Sequence, residues 1–337
     1  MIPSRPSPSS FRSTLSQLEL RYPPLPQTLL EAMHLMDAPE QLEVGPVTEM
    51  VQHDPFVVAR LLQIVNSAYY GLQRSIDSIE RAVVMLGPVA VTGIVLGMNM
   101  LRLRSALEGP AAGCFSRLIR HSIATAFLTR HLLEGPPHGG YRRPALRRTG
   151  TAFTAGLLHD FGKIVLVYNF PQEAVDLYEQ NTLSEHIVEQ DIRSLEQVLF
   201  GYDHTEAGEY VARKLGFPEP LVQVIRRHHD PLPDAITDDT HLLVVATMAA
   251  NLMAKTLGYG FTHDVSPGDC RRHPVWTRLL DAAPFPYSSP DELIDGLAAQ
   301  REHLDHYVSN MTMGPVDGPR RTARPSSRFP GSNLPIV

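Results

Sequence analysis

Three ionisable side chains interrupt an almost wholly apolar stretch near the middle of this chain. Residues 151–168 read TAFTAGLLHDFGKIVLVY and contain His159, Asp160 and Lys163. Burying such groups without partners costs several kcal/mol each, so we expect them to be paired. A carboxylate beside an imidazole is a typical ligand pair for a divalent metal, and the lysine could contact an anionic group held by that metal. The alternative is a helix end capped by polar residues.

Four more histidines lie at the ends or on the apolar faces of predicted helices. His121 lies on a long helix, His204 begins a helix, and His228 and His229 end another. Taken singly, each is explained as a hydrogen-bonded core histidine, a residue near an N-cap, or a cation at a helix C-terminus. Taken jointly, they favour a metal site, since imidazole with carboxylate suits Fe, Mn, Ni or Zn better than Ca or Mg. The six candidate metal ligands are His121, His159, Asp160, His204, His228 and His229.

The other histidines have no comparable context, and we predict that they are surface or capping residues. They are His34, His53, His131, His138, His186, His241, His263, His273, His303 and His306.

The composition is typical of a soluble globular protein. The chain has 337 residues, of which 43% are hydrophobic and 20% charged, and its formal net charge is −6 without a large block of one sign. We therefore expect neither nucleic acid nor an anionic membrane as a partner. Cys114 and Cys270 stand far apart, which indicates no disulfide framework and no thiolate metal site. The N-terminus lacks the apolar run of a secretory signal, and a cytoplasmic location is the expectation.

Helical periodicity dominates the sequence and alternating strand patterns are nearly absent, so the predicted fold is all-α. A helix ending near His53 is followed by a start at Asp54-Pro55, and Gly87-Pro88 should stop the helix that begins at Ser78. Gly162 is expected to let the backbone bend between the helix before it and the apolar segment 164–168. The remaining predictions are a disordered lead (1–17), a loop (134–150), a short helical C-terminal extension (258–313) with helical patches at 275–282 and 290–311, and a disordered tail (314–337).

The order of these motifs resembles the HD superfamily of metal-dependent phosphohydrolases. The match is more specific to the HDOD family, the HD-related output domain of bacterial signalling proteins. It rests on His121, LLHDFGK, His204 and the double histidine, and on three N-terminal segments: LPQTLLEAM (25–33), VQHDPFVVARLLQIVNSAYYG (51–71) and SIERAVVMLG (78–87). The resemblance implies a helical domain over 18–257, in which an N-terminal subdomain (18–110) precedes an HD-like lobe (111–257).

The same resemblance exposes three departures from the catalytic members of the superfamily. The basic HD pattern has a fourth ligand, an aspartate, which should fall within 243–252, where the chain offers Thr247 and Asn251. The cyclic-dinucleotide phosphodiesterases of the HD-GYP branch have a glutamate one turn before the first histidine, where this chain has Arg117. Their GYP loop is replaced here by Asp230-Pro-Leu-Pro.

Two functions follow as expectations. The first is a regulatory or output module of bacterial signal transduction with a protein partner, a degenerate metal site and no established catalysis. The second is a metal-dependent phosphohydrolase or phosphodiesterase with a dinuclear centre, in which Asp160 bridges two ions and Lys163 steadies the phosphate of a nucleotide or other phosphodiester. The missing carboxylates favour the first, and one or two ions of Fe, Mn, Ni or Zn fit either.

Overall fold

The computed structural model describes residues 42–67, 70, 72–135, 151–180, 189–261, 265–282 and 287–312, with the single positions 28, 31, 32 and 35. Throughout these residues the regular structure is helical and no strand forms, which confirms the all-α prediction. The predicted lead, the predicted tail and most of the predicted loop at 134–150 lie outside the described residues.

Four helices form the N-terminal part of the described chain: α1 (Val44–Gln52), α2 (Pro55–Val65), α3 (Ile79–Leu86) and α4 (Pro88–Arg102). Asp54 caps α2 as expected, because its side chain accepts hydrogen bonds from the backbone N–H groups of Phe56 and Val57 at 3.1 and 3.3 Å. The same carboxylate receives two hydrogen bonds from Arg102, which ties α4 to α2. Gly87, at a φ of +85°, ends α3 where the sequence predicts it.

The middle of the fold is built on one long helix, α5 (Gly109–Glu134), with α6 (Thr151–Leu158) packed closely against it. A Cβ atom at Gly156 would lie only 2.6 Å from the Cα of Ala126, so this approach requires glycine. The helices α7 (Phe161–Asn169) and α8 (Pro171–Val175) follow, and then one turn of π-helix, Asp176–Gln180. Because α6 ends at Leu158, the histidine and aspartate of the HD motif lie at its C-terminus.

The chain bends at His159 and Asp160 rather than at Gly162, which lies inside α7. A Cβ atom there would overlap the carbonyl oxygen of His204 and lie 2.8 Å from the backbone nitrogen of Gly208. The predicted role of Gly162 as the point of bending is therefore wrong. The glycine instead lets α7 pack directly on the backbone of the helix that begins at His204.

Four further helices close the HD-like part: α9 (Glu189–Phe200), α10 (His204–Lys214), α11 (Glu219–Arg227) and α12 (Asp239–Ala254), which continues as one π-helical turn to Tyr259. The stretch Asp239–Tyr259 is long and apolar enough to cross a membrane, and α3 and α4 qualify only as a broken pair bent by 111°. However, 72% of the apolar window in Asp239–Tyr259 is buried inside the fold. It packs against α5, as a core helix does.

The C-terminal helices pack on the same core. They are α13 (Pro267–Arg272), α14 (Val275–Ala282), α15 (Pro290–Ala298) and α16 (Arg301–Thr312), so the predicted patch at 290–311 is two helices. Tyr307 of α16 is buried, with its ring centroid 5.3 Å from that of Phe127 on α5 and 6.0 Å from that of Phe153 on α6. The described residues 267–282 and 287–312 thus complete the hydrophobic core around the central helices.

Candidate metal centre

Three helices and one turn bring the six candidate ligands to one point inside the fold. His121 comes from the middle of α5, His159 and Asp160 from the turn between α6 and α7, His204 from the first residue of α10, and the double histidine from the end of α11. Five of the six side chains are buried, and His229 is half-buried. They form two groups that share Asp160, and within each group the ligand atoms lie within 4.8 Å of one another. We call them the two-histidine group (His121, His159, Asp160) and the three-histidine group (Asp160, His204, His228, His229).

The carboxylate of Asp160 has one oxygen directed to each group. Its Oδ2 accepts a hydrogen bond from Lys163 Nζ at 2.9 Å and lies 3.4 Å from His159 Nε2. Its Oδ1 lies 3.4 Å from His228 Nε2 and 3.6 Å from His204 Nε2. Burial opposes ionisation of this group, but the neighbouring ammonium of Lys163 holds the pKa of Asp160 well below its ordinary value. The shared ligand is therefore an anion.

The hydrogen bonds of the three-histidine group fix which ring nitrogens carry lone pairs. His204 Nδ1 donates to Glu196 Oε2 at 2.7 Å, and His228 Nδ1 donates to the carbonyl oxygens of Val224 and Ile225, each at 3.1 Å. A neutral imidazole has one N–H, so in the neutral form each of these two rings offers the lone pair of Nε2 toward Asp160. For His228 the neutral form is secured by burial, which lowers its pKa to about 4.

Three buried polar atoms therefore converge without a hydrogen bond between them. His204 Nε2, His228 Nε2 and Asp160 Oδ1 are buried, and none has a hydrogen-bond partner among the described residues. Lone pairs that face one another in a buried site repel, and a divalent cation placed among them would satisfy all three. The donor set of three imidazoles and one carboxylate fits a transition metal ion.

The two-histidine group is already bonded within the protein. His159 Nδ1 donates to the carbonyl oxygen of Gly156 at 2.7 Å, so its Nε2 is an acceptor. That nitrogen lies 3.3 Å from His121 Nε2, which must then be the donor. Since Asp160 Oδ2 is bonded to Lys163, the lone pairs facing this group are occupied by protons of the protein itself. The ammonium of Lys163 is bonded to the ligand aspartate, and its role in steadying a phosphate stays a prediction.

The helix α12 supplies no carboxylate to either group. Thr247 donates its hydroxyl to the carbonyl oxygen of Leu243 at 2.8 Å, and Asn251 is buried with a neutral amide. Arg117 lies 3.8 Å from Glu179 in an ion pair, and its guanidinium lies 5.8 Å from the ring of Phe261. Thr247 and Arg117, which stand where the resemblance predicts carboxylates, therefore make other contacts.

Glu196 and Tyr178 also belong to the centre, and the sequence did not predict either of them. Glu196 is fully buried and accepts hydrogen bonds from His204 and from the hydroxyl of Tyr178, the latter at 2.6 Å. The available signal was spacing, since Glu196 lies four residues from Ile192 and four from Phe200, on the apolar face of a helix that runs directly into His204. A carboxylate at such a position needs a buried partner.

One prediction for the remaining histidines is wrong. His131 is 5% exposed, and its ring stacks on Phe127 with a centroid distance of 6.3 Å, because α5 is covered on this side by other helices. His34, His138, His186 and His263 lie outside the described residues. The others are exposed or partly exposed, as predicted: His53, His241, His273, His303 and His306.

Comparison with known proteins gives a family and a fold. The family model described as the HDOD domain matches residues 22–231. An uncharacterised protein of Treponema pallidum (strain Nichols) is 23% identical over 239 residues, which cover 70% of this chain and 42% of the relative. The chain thus spans less than half the length of that relative.

Solved structures of similar fold carry two kinds of description. An HDOD domain protein of unknown function from Geobacter sulfurreducens is 22% identical, with a TM-score of 0.68 over 90% of this chain and 97% of that one. A protein from Shewanella amazonensis SB2B, described as a candidate phosphohydrolase, is 20% identical, with a TM-score of 0.60 over 90% and 98%. One from Marinobacter aquaeolei VT8, described as a candidate signal transduction protein, is 20% identical, with a TM-score of 0.62 over 90% and 65%. At these identities the likeness establishes the fold.

Proposed function

The chain belongs to the HDOD family, and from this premise we propose that it is a regulatory module of bacterial signal transduction that binds one divalent metal ion and catalyses no phosphoryl chemistry. It acts in the cytoplasm on a protein partner. The ion is Fe, Mn, Ni or Zn, and its ligands are the members of the three-histidine group.

A single observation supports the proposal most strongly, namely the convergence of His204 Nε2, His228 Nε2 and Asp160 Oδ1, none of which has a hydrogen-bond partner among the described residues. When bound, the ion supplies positive charge and Lewis acidity. The side chains that hold it belong to α10, α11 and the turn before α7, so the site joins three elements that are separate in sequence. Metal binding to such a site adds directly to folding stability.

The two-histidine group argues against a dinuclear centre. Its lone pairs are engaged by the His121–His159 and Lys163–Asp160 hydrogen bonds, and the ammonium of Lys163 would repel a second divalent ion nearby. The described part of α12 offers no carboxylate to replace these contacts. The ligand side chains are also buried, which suits an ion that organises the fold better than one that meets a substrate.

A metal-dependent phosphohydrolase is the second candidate. The observation that favours it is that all six histidine and aspartate ligands meet at one point around a shared carboxylate. Under this alternative a nucleotide or other phosphodiester is the substrate, and Asp160 and Lys163 act in catalysis.

A hydrolysis assay with a metal-binding control separates the two functions. The protein is purified without chelator or affinity histidines, loaded with each of the four metals, and offered bis(p-nitrophenyl) phosphate and cyclic dinucleotides. We expect Asp160→Asn to lose bound metal and the exposed control Asp176→Asn to keep it. We also expect the wild type to hydrolyse no more substrate than Asp160→Asn. Turnover by the wild type that disappears in Asp160→Asn would establish the enzyme instead.

A further inference from the structure

Glu196 is a buried carboxylate that accepts hydrogen bonds from the ligand histidine His204 and from Tyr178. We propose that Glu196 is a positioning residue of the metal centre, which holds His204 with Nε2 facing Asp160, and that Tyr178 in turn holds Glu196. The inference rests on the proposed function and adds to it the residues that set metal affinity.

The geometry around Glu196 leaves His204 little freedom. Its Oε2 accepts from both the backbone N–H and the Nδ1–H of His204, at 2.9 and 2.7 Å, so two bonds orient the ring. Its Oε1 accepts from the hydroxyl of Tyr178 at 2.6 Å. Glu196 is fully buried, and both of its oxygens are therefore engaged without water.

His204 is the group that links Glu196 to the centre. Among the described residues no lysine or arginine is ion-paired with Glu196, and its donors are a backbone amide, an imidazole and a phenol. A metal ion on His204 Nε2 would be linked to this carboxylate through the ring, in the carboxylate–histidine–metal arrangement that raises the basicity of the ligand.

The other placed histidines of the centre are held differently. His159 and His228 donate Nδ1–H to backbone carbonyl oxygens, which are neutral acceptors. A hydrogen bond to a carboxylate is about twice as strong as one between neutral groups. His204 is therefore the ligand whose donor strength depends on a replaceable side chain.

Cobalt binding tests this role, because the visible absorption of bound Co²⁺ reports on the ligands directly. Glu196→Gln keeps the shape of the side chain and removes its charge. We expect affinity for Co²⁺ to fall about 10- to 100-fold, as is typical of lost outer-shell partners, with an altered absorption spectrum and unchanged stoichiometry at saturation. The matched control is Glu179→Gln, which removes a carboxylate of the neighbouring π-helical turn that is paired with Arg117.

A second pair of variants tests the support from Tyr178. We expect Tyr178→Phe to weaken Co²⁺ binding, and Tyr202→Phe to leave it unchanged. Tyr202 is also fully buried, but its hydroxyl has no hydrogen-bond partner among the described residues. Each variant removes one buried hydroxyl, and only the hydroxyl of Tyr178 contacts Glu196.

The outcomes separate this inference from the function on which it rests. A folded Glu196→Gln protein with wild-type affinity and spectrum would overturn the role of Glu196 alone. If Glu196→Gln does not fold, equal binding by Tyr178→Phe and Tyr202→Phe would overturn it. A wild-type protein that binds neither Co²⁺ nor any of the four proposed metals would contradict the proposed function and the inference together.

Discussion

Asp160 is the residue on which the electrostatics of the centre depend. Its two oxygens face two differently bonded groups, with Lys163 on one side and, on the other, the Nε2 atoms of His204 and His228, which have no hydrogen-bond partner among the described residues. Burial and neighbouring histidines hold the pKa of His121 and His229 well below the ordinary value. The fold thus favours the neutral form of His121, His228 and His229 around this anion, which is the state in which histidine binds a metal.

The neutral histidines predict how the metal-free protein responds to acid. His228 has an ordinary pKa of 6.5 when unfolded and about 4 when folded, so between these values the unfolded chain binds a proton that the folded chain does not. Stability is therefore complete above about pH 6.5 and falls as the pH is lowered toward 4. The loss reaches about 1.4 kcal/mol for each pH unit and each such histidine.

Urea unfolding at a series of pH values measures this loss. His228→Gln should flatten the dependence, whereas His53→Gln, at an exposed position, should leave it as in the wild type. Parallel curves for His228→Gln and the wild type would show that His228 is not held neutral by the fold.

At the scale of single residues, the sequence predicts which side chains meet, but not which hydrogen bonds they make. His121, His159, Asp160, His204, His228 and His229 stand out because ionisable groups on apolar faces need partners, and the structure brings them together. Their role as ligands remains a prediction. The Glu196 and Tyr178 contacts could not be predicted, because they depend on how α9 and the π-helical turn at 176–180 pack against α10.

At the scale of elements, the contact between α7 and α10 places the two halves of the three-histidine group. Gly162 on α7 lies against the backbone of His204 and Gly208 on α10, so Asp160 and His204 are carried to within ligand distance of each other. Backbone-to-backbone contact is stiff, since no flexible side chain lies between the helices. The position of His204 relative to Asp160 is therefore set by a glycine rather than by the ligands.

Two glycine-to-alanine variants isolate this contact. Gly162→Ala should destabilise the protein by about 3 kcal/mol, because the new methyl group meets backbone atoms that cannot move aside. Gly113→Ala, on the exposed face of α5 with open space around it, should stabilise by about 0.5–1 kcal/mol. Chemical denaturation of both variants against the wild type provides the measurement. A Gly162→Ala protein as stable as the wild type would mean that α7 and α10 can separate.

Local signals predict the elements better than their contacts. The cap at Asp54 and the stop at Gly87 follow from side-chain and backbone preferences of a few residues, and both are confirmed. The glycine at 162 predicts a bend at that position, but the structure has the bend at His159 and Asp160. Gly162 is required instead by its contact with α10, a helix more than forty residues further along the chain.

At the scale of the whole molecule, the C-terminal helices complete the core around the centre. Tyr307 packs on Phe127 of α5 and Phe153 of α6, the helices that carry His121 and lead to His159. Arg60 of α2 also donates to the carbonyl oxygen of Asn310 at 3.0 Å. The sequence predicts helices in this region but not their packing, because apolar periodicity shows that a face is buried and not which helices cover it.

The central claim is that the protein holds one ion, in the three-histidine group. Anomalous diffraction from crystals of the metal-loaded protein tests it most directly, because it counts the ions and places them. The account predicts a single peak bounded by Asp160, His204, His228 and His229, and no peak between His121 and His159. A second peak of comparable occupancy beside His121 and His159 would contradict the account and support a dinuclear phosphohydrolase centre.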